Sequence, residues 1–155
     1  PSILLGVVLS LLGVLAKIVR PHDALLGCQK DSTTMHDVGD DEAAETIPGL
    51  VVYRFYGPLI FANVRFFIER IERFIAQEKD PVRQVILDAR AIPCIDITAA
   101  EQLREFVERL RARGIEFVVA KPHLPLRQTL MAVSDGRWDT GKHFSQLAEA
   151  VAAFK

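Results

Sequence analysis

Cysteine and histidine are scarce in this sequence, with two cysteines and four histidines in 155 residues. Cys28 and Cys94 stand alone, and no C-x-x-C, H-x-x-x-H or H-E-x-x-H spacing occurs. Two isolated thiols exclude the disulfide scaffold of small secreted domains and favour a reducing compartment. Because the common zinc-ligand spacings are missing, we expect no metal site.

An excess of charge of one sign is lacking too, since the formal net charge is -1. The chain therefore presents no overall positive field, and we expect no nucleic-acid partner. Half of the residues are hydrophobic (50%) and a quarter are charged (25%), which is typical of a globular protein. The length is sufficient for one domain with a real core.

A long apolar run begins the sequence. Residues 3–16, ILLGVVLSLLGVLA, are apolar except for Ser10, and Lys17 and Arg20 follow directly. As a helix this run is about 21 Å long, and it lacks the polar face of a core helix and the basic start of a signal peptide. Positive charge after a span marks the cytoplasmic side. Since the sequence starts at Pro1 and not at Met, we interpret residues 1–20 as the end of a last transmembrane helix. A core helix is the alternative.

An acidic segment follows Pro21. Six Asp and Glu residues and no Lys or Arg lie between Asp31 and Thr46. A segment of this composition without helical or strand periodicity is typical of a solvated linker. We therefore predict three parts: the membrane helix over 1–20, an acidic linker over 21–46 and a globular domain over 47–155.

From residue 47 onward, short apolar runs alternate with segments whose apolar residues recur every three or four positions. The first pattern is typical of strands and the second of amphipathic helices. We predict an α/β fold, with a mixed, largely parallel β-sheet packed with about four α-helices and preceded by the transmembrane-helix remnant. The predicted strands are Leu50–Phe55, Leu59–Phe61, Val85–Leu87 and Ile115–Ala120, and the predicted helices begin near Val64, Thr98, Leu126 and Ser145.

The stretch GRWDTGKH, Gly136 to His143, nearly matches the phosphate-binding pattern G-x-x-x-x-G-K-[ST]. His143 stands where the magnesium-binding hydroxyl belongs, and Trp138 is bulky for a loop that approaches phosphate closely. A true phosphate loop follows a strand and opens a helix, whereas a predicted helix precedes this one. We interpret the match as chance, with turns at Gly136 and Gly141 around a short connecting strand. A nucleotide-hydrolysing module is the minor alternative.

The loop DARAIPCIDITAAEQL, residues 88–103, is more informative. Thr98 and Glu101 have the spacing of a capping box, with Thr98 as N-cap. A hydroxyl at a helix N-terminus is also a place where a phosphate finds amide donors and a favourable dipole. Asp96 and Glu101 would oppose the charge of that phosphate. Thr98 is therefore either a structural cap or a phosphorylation switch.

Several stretches together resemble the STAS domain, the sulfate transporter and anti-sigma factor antagonist domain, attached to the end of a SulP-type anion transporter. They are RPHDALLG, IPGLVVYRFYGPLIFAN, VILDARAIPCIDITAAEQL and RGIEFVVA. The resemblance implies that Thr98 is the phosphorylated position, in a switch loop that includes Asp88, Asp96, Ile97 and Ala99. The family pattern D-[ST]-[ST]-G reads Asp96-Ile97-Thr98-Ala99 here. The resemblance also implies binding of GTP or ATP, with Asp88, Arg90 and Thr98 as contacts.

The implied function is that of a regulatory and interaction module, which is not an enzyme. Its expected partners are the membrane domain of the same chain, a second copy in a homodimer and a regulatory protein, on the cytoplasmic side of an inner or plasma membrane. The alternatives are a free-standing anti-sigma factor antagonist switched at Thr98 and a nucleotide-binding module. Asp88 and Asp96 flank one loop, but no histidine or nucleophile accompanies them, so we expect no catalytic residue.

Overall fold

The computed structural model describes residues 2–28, 34–40, 44–134 and 143–154. A long helix begins the chain, and strands and helices alternate after it. In chain order the elements are α1 (Ser2–Val19), β1 (Asp23–Cys28), β2 (Met35–Asp37), β3 (Leu50–Phe55), α2 (Val64–Gln77), β4 (Gln84–Asp88), a 3-10 turn (Ala89–Ala91), α3 (Ile97–Ala112), β5 (Glu116–Ala120), α4 (Leu124–Val133), β6 (His143–Phe144) and α5 (Leu147–Phe154).

The strands of the described part form one mixed sheet in the order β2-β1-β3-β4-β5-β6. The four strands from β3 to β6 are parallel to one another, whereas β1 is antiparallel to both β2 and β3. The predicted fold class, a mixed and largely parallel sheet packed with helices, is confirmed. The helix and strand boundaries from residue 64 to 133 also agree with the predicted elements to within a few residues.

Helices cover both faces of the sheet. On one face, α2, α3 and α4 pack against Val51, Tyr53, Val85 and other residues of the larger core. On the other face, α5 packs with Leu147 and Val151 against alternate residues of the same strands. Because successive side chains of a strand point to opposite faces, the continuous apolar runs of β3, β4 and β5 supply both cores at once.

The segment 21–46 is not a linker throughout, which corrects the prediction. β1 and β2 lie within it, and β1 pairs with β3 through Leu25↔Tyr53 and its neighbours. Ala24 and Leu26 are buried in the smaller core. The many acidic residues after position 30 obscured this short strand, whose alternate side chains are apolar. Residues 29–33 and 41–43 lie outside the described residues.

The predicted strand Leu59–Phe61 is wrong. Leu59 makes a single parallel bridge with Ile95, and a turn follows that leads into α2. The carbonyl oxygen Oδ1 of Asn63 accepts a hydrogen bond from the Ile60 amide over 2.9 Å. This bond closes the turn and leaves Phe61 exposed, so the run does not continue as a strand.

Residues 136–142 of the near-match to a phosphate loop lie outside the described residues, and so do the turns predicted at Gly136 and Gly141. His143 begins the short strand β6, parallel to β5. A helix therefore precedes the stretch and a strand follows it, which is the reverse of the order that a phosphate loop requires. The short connecting strand predicted between these two turns lies outside the described residues as well.

Candidate functional site

A cleft lined by basic side chains lies at the carboxyl ends of the central parallel strands. We call it the basic cleft, and it has a volume of about 350 Å³. Arg54 lies near the end of β3, Arg90 in the 3-10 turn after β4, and Lys121 directly after β5. The remaining lining residues are Thr34, Met35, Gln146, Leu147 and Ala148.

Asp88 holds the two arginines of the cleft together. Its side chain has no exposed surface, and its Oδ2 accepts hydrogen bonds from Arg54 Nε at 2.8 Å and Nη2 at 2.7 Å. Oδ1 accepts from Arg90 Nε at 3.1 Å. Burial lowers the pKa of Arg54, but its hydrogen bonds to Tyr56 and Asp88 raise the pKa by more. One carboxylate thus faces two guanidinium groups, and the cleft keeps an excess of positive charge.

The three residues expected to contact a nucleotide do not form one surface. Arg90 lines the basic cleft, whereas Asp88 is enclosed and occupied by the arginines. Thr98 lies at the start of α3 and is not among the lining residues of the cleft. Nucleotide binding through these three residues stays a prediction.

The N-cap of α3 is Asp96, and the predicted capping box at Thr98 is wrong. Asp96 Oδ1 accepts a hydrogen bond from the Ala99 amide at 2.7 Å, and Oδ2 accepts one from the Phe61 amide at 2.8 Å. A carboxylate at this position also interacts favourably with the helix dipole. Asp96 therefore fixes both the start of α3 and the turn before α2, and Thr98 lies inside the first turn of the helix.

The switch-loop side chains divide into exposed and buried positions. Ile97 is 67% exposed, and Thr98 is also exposed, whereas Ala99 is fully buried in the larger core. Thr98 is thus accessible to solvent without any change of the fold. Position 99 is glycine in the family pattern and alanine here, and the methyl group of Ala99 packs in the larger core.

Asn63 joins the end of α1 to the domain, a role that the sequence analysis missed. Its side chain is 1% exposed, and Nδ2 donates hydrogen bonds to the carbonyl oxygens of Ile18 at 3.1 Å and Pro58 at 3.0 Å. A polar residue just before the apolar face of α2 was visible in the sequence. Its partner in α1, however, is too distant in the chain for any pattern to indicate it.

Asp23, the first residue of β1, joins this strand to the rest of the domain through its side chain. It accepts hydrogen bonds at Oδ2 from Arg70 Nε at 2.6 Å and from the Tyr53 hydroxyl at 2.9 Å. Burial raises the pKa of Tyr53, and the neighbouring Asp23 carboxylate raises it further. The hydrogen bond to Asp23 raises the pKa of Arg70. Since these groups were assigned to a linker and to two separate elements, their association was not predicted.

Comparison with known protein families gives a match over most of the chain. A family model described as the STAS domain matches residues 42–150. Among curated proteins, a probable sulfate transporter of Mycobacterium tuberculosis (strain H37Rv) is 37% identical over 133 residues, which are 86% of this chain and 24% of that protein. The chain therefore spans about a quarter of the length of this relative.

Solved structures show the same fold. The murine Solute Carrier 26 family member A9 anion transporter, in its inward-facing state, matches with a TM-score of 0.82 and 18% identity, over 97% of this chain and 25% of that one. The STAS domain of a SulP transporter from Vibrio cholerae matches with a TM-score of 0.57 and 23% identity, over 72% of this chain and 86% of that one. The first match covers so much of the chain that it includes most of α1.

Proposed function

The chain belongs to the STAS domain family, and from this premise we propose that it is the cytoplasmic regulatory domain of a SulP-type secondary anion transporter, together with the end of the last membrane helix. The similarity to a probable sulfate transporter supports an anion of the sulfate class as the cargo. The domain acts as a regulatory and interaction module, and the transport step takes place in the membrane part. The domain influences the transport step by docking against the membrane part.

The single observation that carries this proposal is the combination of α1 with its attachment to the domain. α1 has 18 residues with a mean hydropathy of 2.5, and none of them is buried. Within the described ranges it is the one helix long and apolar enough to cross a membrane. At about 1.5 Å per residue it is roughly 27 Å long, close to the thickness of the hydrocarbon core. A soluble domain has no use for so large an exposed apolar surface.

The charges and contacts at the end of α1 support a cytoplasmic location. Lys17 and Arg20 lie at this end of the helix, where positive charge is typical of the cytoplasmic side. The chain then enters β1 at Asp23, and the bond from Asn63 to Ile18 fixes the last turn of α1 against the start of α2. A movement of the membrane helix therefore reaches the sheet through main-chain and side-chain contacts.

A docking face lies beside this attachment. We define it by Phe61, in the turn before α2, and Ile97, the first residue of α3, which are each 67% exposed. The hydrogen bond from the Phe61 amide to Asp96 joins the two segments. Both segments lie near the end of α1, since Asn63 joins that end to the segment next to Phe61. We propose that this face contacts the membrane domain of the same chain or, in a homodimer, that of the second copy.

The test is anion uptake by the full-length transporter after substitution of the docking face. Phe61→Ser with Ile97→Ser is expected to lower the uptake rate per transporter molecule in the membrane, since two apolar contacts are lost. Leu124→Ser is the matched control, because Leu124 is 64% exposed and lies at the start of α4, after β5, whereas Phe61 and Ile97 follow β3 and β4. An unchanged uptake rate and unchanged assembly in the double variant would contradict the proposal.

A second candidate function is a phosphorylation switch at Thr98, favoured by the exposed position of this residue in the first turn of α3. A phosphate there gains from the helix dipole but lies close to the Asp96 carboxylate, so it would weaken the N-cap. The partner would be a regulatory kinase, as for an anti-sigma factor antagonist. Loss of such a complex on Thr98→Glu, but not on Ser145→Glu, would support the switch, and equal binding by both variants would exclude it.

A further inference from the structure

We propose that the basic cleft binds a free inorganic tetrahedral oxyanion, sulfate or phosphate. The cleft is formed by Arg54, Arg90 and Lys121, which lie at the carboxyl ends of three neighbouring parallel strands, β3, β4 and β5. Ligands of open α/β sheets bind outside the carboxyl ends of the strands, and the cleft lies at these ends. This site is separate from the docking face and from Thr98.

The register of the strands brings the three cations together. Arg54 pairs with Asp88 across β3 and β4, and Asp88 pairs with Ala120 across β4 and β5. Arg90 and Lys121 follow Asp88 and Ala120 by two residues and one residue. Because neighbouring strands are about 4.8 Å apart, the three basic residues start from a short row along one edge of the sheet.

The charges of the cleft are only partly compensated. Asp88 offsets one positive charge and holds the guanidinium groups of Arg54 and Arg90 in place. Across the described part of the chain, no carboxylate lies within ion-pair distance of Lys121, and no acidic residue is among those that line the cleft. A doubly charged anion would complete the compensation, and planar guanidinium groups are well suited to the oxygens of sulfate or phosphate.

The main chain at Lys121 is strained in a way that points to use of this side chain. Lys121 has a φ of 53°, in the left-handed region that glycine occupies most easily. In the described residues it is the one residue other than glycine with a positive φ. Its amide donates a hydrogen bond to the Phe144 carbonyl at 3.0 Å, which fixes the strained residue at the cleft. Outliers of this kind occur preferentially at ligand sites.

A bound anion would lie close to the attachment of α1. Arg54 Nη1 donates a hydrogen bond to the Tyr56 hydroxyl at 3.3 Å, and the ring of Tyr56 lies 5.0 Å from that of His22, between α1 and β1. An oxyanion in the cleft is thus placed to report the internal anion concentration to the membrane helix. This regulatory role rests on the proposed function, whereas the binding site itself does not.

The experiment is calorimetric titration of the complete chain in detergent micelles with sodium sulfate, sodium phosphate and GTP, with sodium chloride added to equal ionic strength. Lys121→Asn removes the charge and keeps a residue that tolerates positive φ. Lys79→Asn is the matched control, because Lys79 is exposed and precedes β4 at the opposite end of the sheet. Since a charge-assisted hydrogen bond is lost, Lys121→Asn is expected to weaken binding about tenfold, and the control to leave it unchanged.

The three ligands separate the sources of the oxyanion. Binding of sulfate or phosphate that is at least as tight as that of GTP, and that Lys121→Asn weakens selectively, would support the free inorganic anion. Much tighter binding of GTP would assign the cleft to the nucleotide that the family resemblance implies, and would overturn the proposal. No binding of the three ligands at about 10 mM, a concentration far above typical dissociation constants of specific sites, would overturn the proposal. Equal binding by both variants would overturn it as well. Because no transport is measured, failure here is distinct from failure of the docking proposal.

Discussion

The side-chain amide of Asn63 donates a hydrogen bond to the main-chain carbonyl of Ile18 over 3.1 Å, between residues 45 positions apart in the sequence. Ile18 belongs to the last turn of an apolar helix, and Asn63 precedes the first helix of the globular domain. The last carbonyls of a helix have no partner within the helix. This carbonyl finds its partner in the domain, so that the end of α1 is part of the folded unit.

We expect Asn63→Ala to lower the free energy of unfolding by about 2 kcal/mol, because it removes the partner of three partly buried main-chain groups. Two of these are the carbonyl oxygens of Ile18 and Pro58, and the third is the Ile60 amide. Chemical denaturation of the chain in detergent, followed by far-ultraviolet circular dichroism, measures the change. Gln77→Ala is the control, since Gln77 is exposed at the end of α2. Equal stability of the two variants would show that the contact does not join helix and domain.

The assignment of the N-cap gives a second prediction. Asp96→Ala is expected to cost about 1–2 kcal/mol of stability, because α3 loses its cap and the Phe61 amide loses its acceptor. Thr98→Ala is expected to change the stability by less than about 0.5 kcal/mol, as for other exposed surface positions. Thermal or urea denaturation of the two variants measures both losses of stability and shows whether Asp96 or Thr98 is the N-cap. A larger loss for Thr98→Ala would restore the capping box that the sequence suggested.

Asp88 gives a third prediction, since it is a buried carboxylate between two arginines. Asp88→Asn is expected to destabilise the domain by about 3–5 kcal/mol, because the guanidinium group of Arg54 keeps its charge in a largely buried position without a counterion. Asp80→Asn, an exposed position in the loop before β4, is the control. Urea denaturation of both variants measures the difference, and a loss below about 1 kcal/mol, the range of an exposed ion pair, would mean that solvent screens this pair.

The raised pKa of Tyr53 predicts a loss of stability at alkaline pH. In the unfolded chain tyrosine ionises near its usual pKa of about 10, whereas the folded chain keeps Tyr53 neutral because it is buried beside Asp23. The stabilising contribution is therefore complete below about pH 10, and above that it falls by about 1.4 kcal/mol per pH unit. Denaturation between pH 8 and 11 is expected to show this slope. Tyr53→Phe is expected to reduce the loss of stability per pH unit. Tyr56→Phe is expected to leave this loss unchanged, because Tyr56 is exposed. The same slope in all three proteins would assign the alkaline loss to other groups.

The predicted part of the fold is the part whose signal is local. Val85–Leu87 and the periodic apolar residues of α2 and α3 determine which face each element buries, and the structure agrees with them. The strand Asp23–Cys28 was missed because its burial depends on pairing with β3. The predicted N-cap, Thr98, lies two residues after the observed one, Asp96, because Thr98 and Glu101 fit a local pattern. Asp96 accepts a second hydrogen bond, from the Phe61 amide, and Phe61 is distant in the sequence.

The residues of the basic cleft show the same division between local and distant information. Asp88 and Arg90 were named as contact residues only through the family resemblance, which implies nucleotide contacts for them. Arg54 lies within a strand and Lys121 after another, and nothing in the sequence near either residue indicates that they meet. Their proximity is set by the parallel register of β3, β4 and β5, which no single segment contains.

Only three residues, 20–22, separate the end of α1 from the start of β1. Even fully extended, the four main-chain steps from Val19 to Asp23 reach about 14 Å. The start of β1 therefore stays within about 14 Å of the end of α1 however the helix and the sheet move. A turn of the helix about its own axis cannot be taken up by slack in so short a connection, so the whole domain must turn with it or break the bond at Asn63.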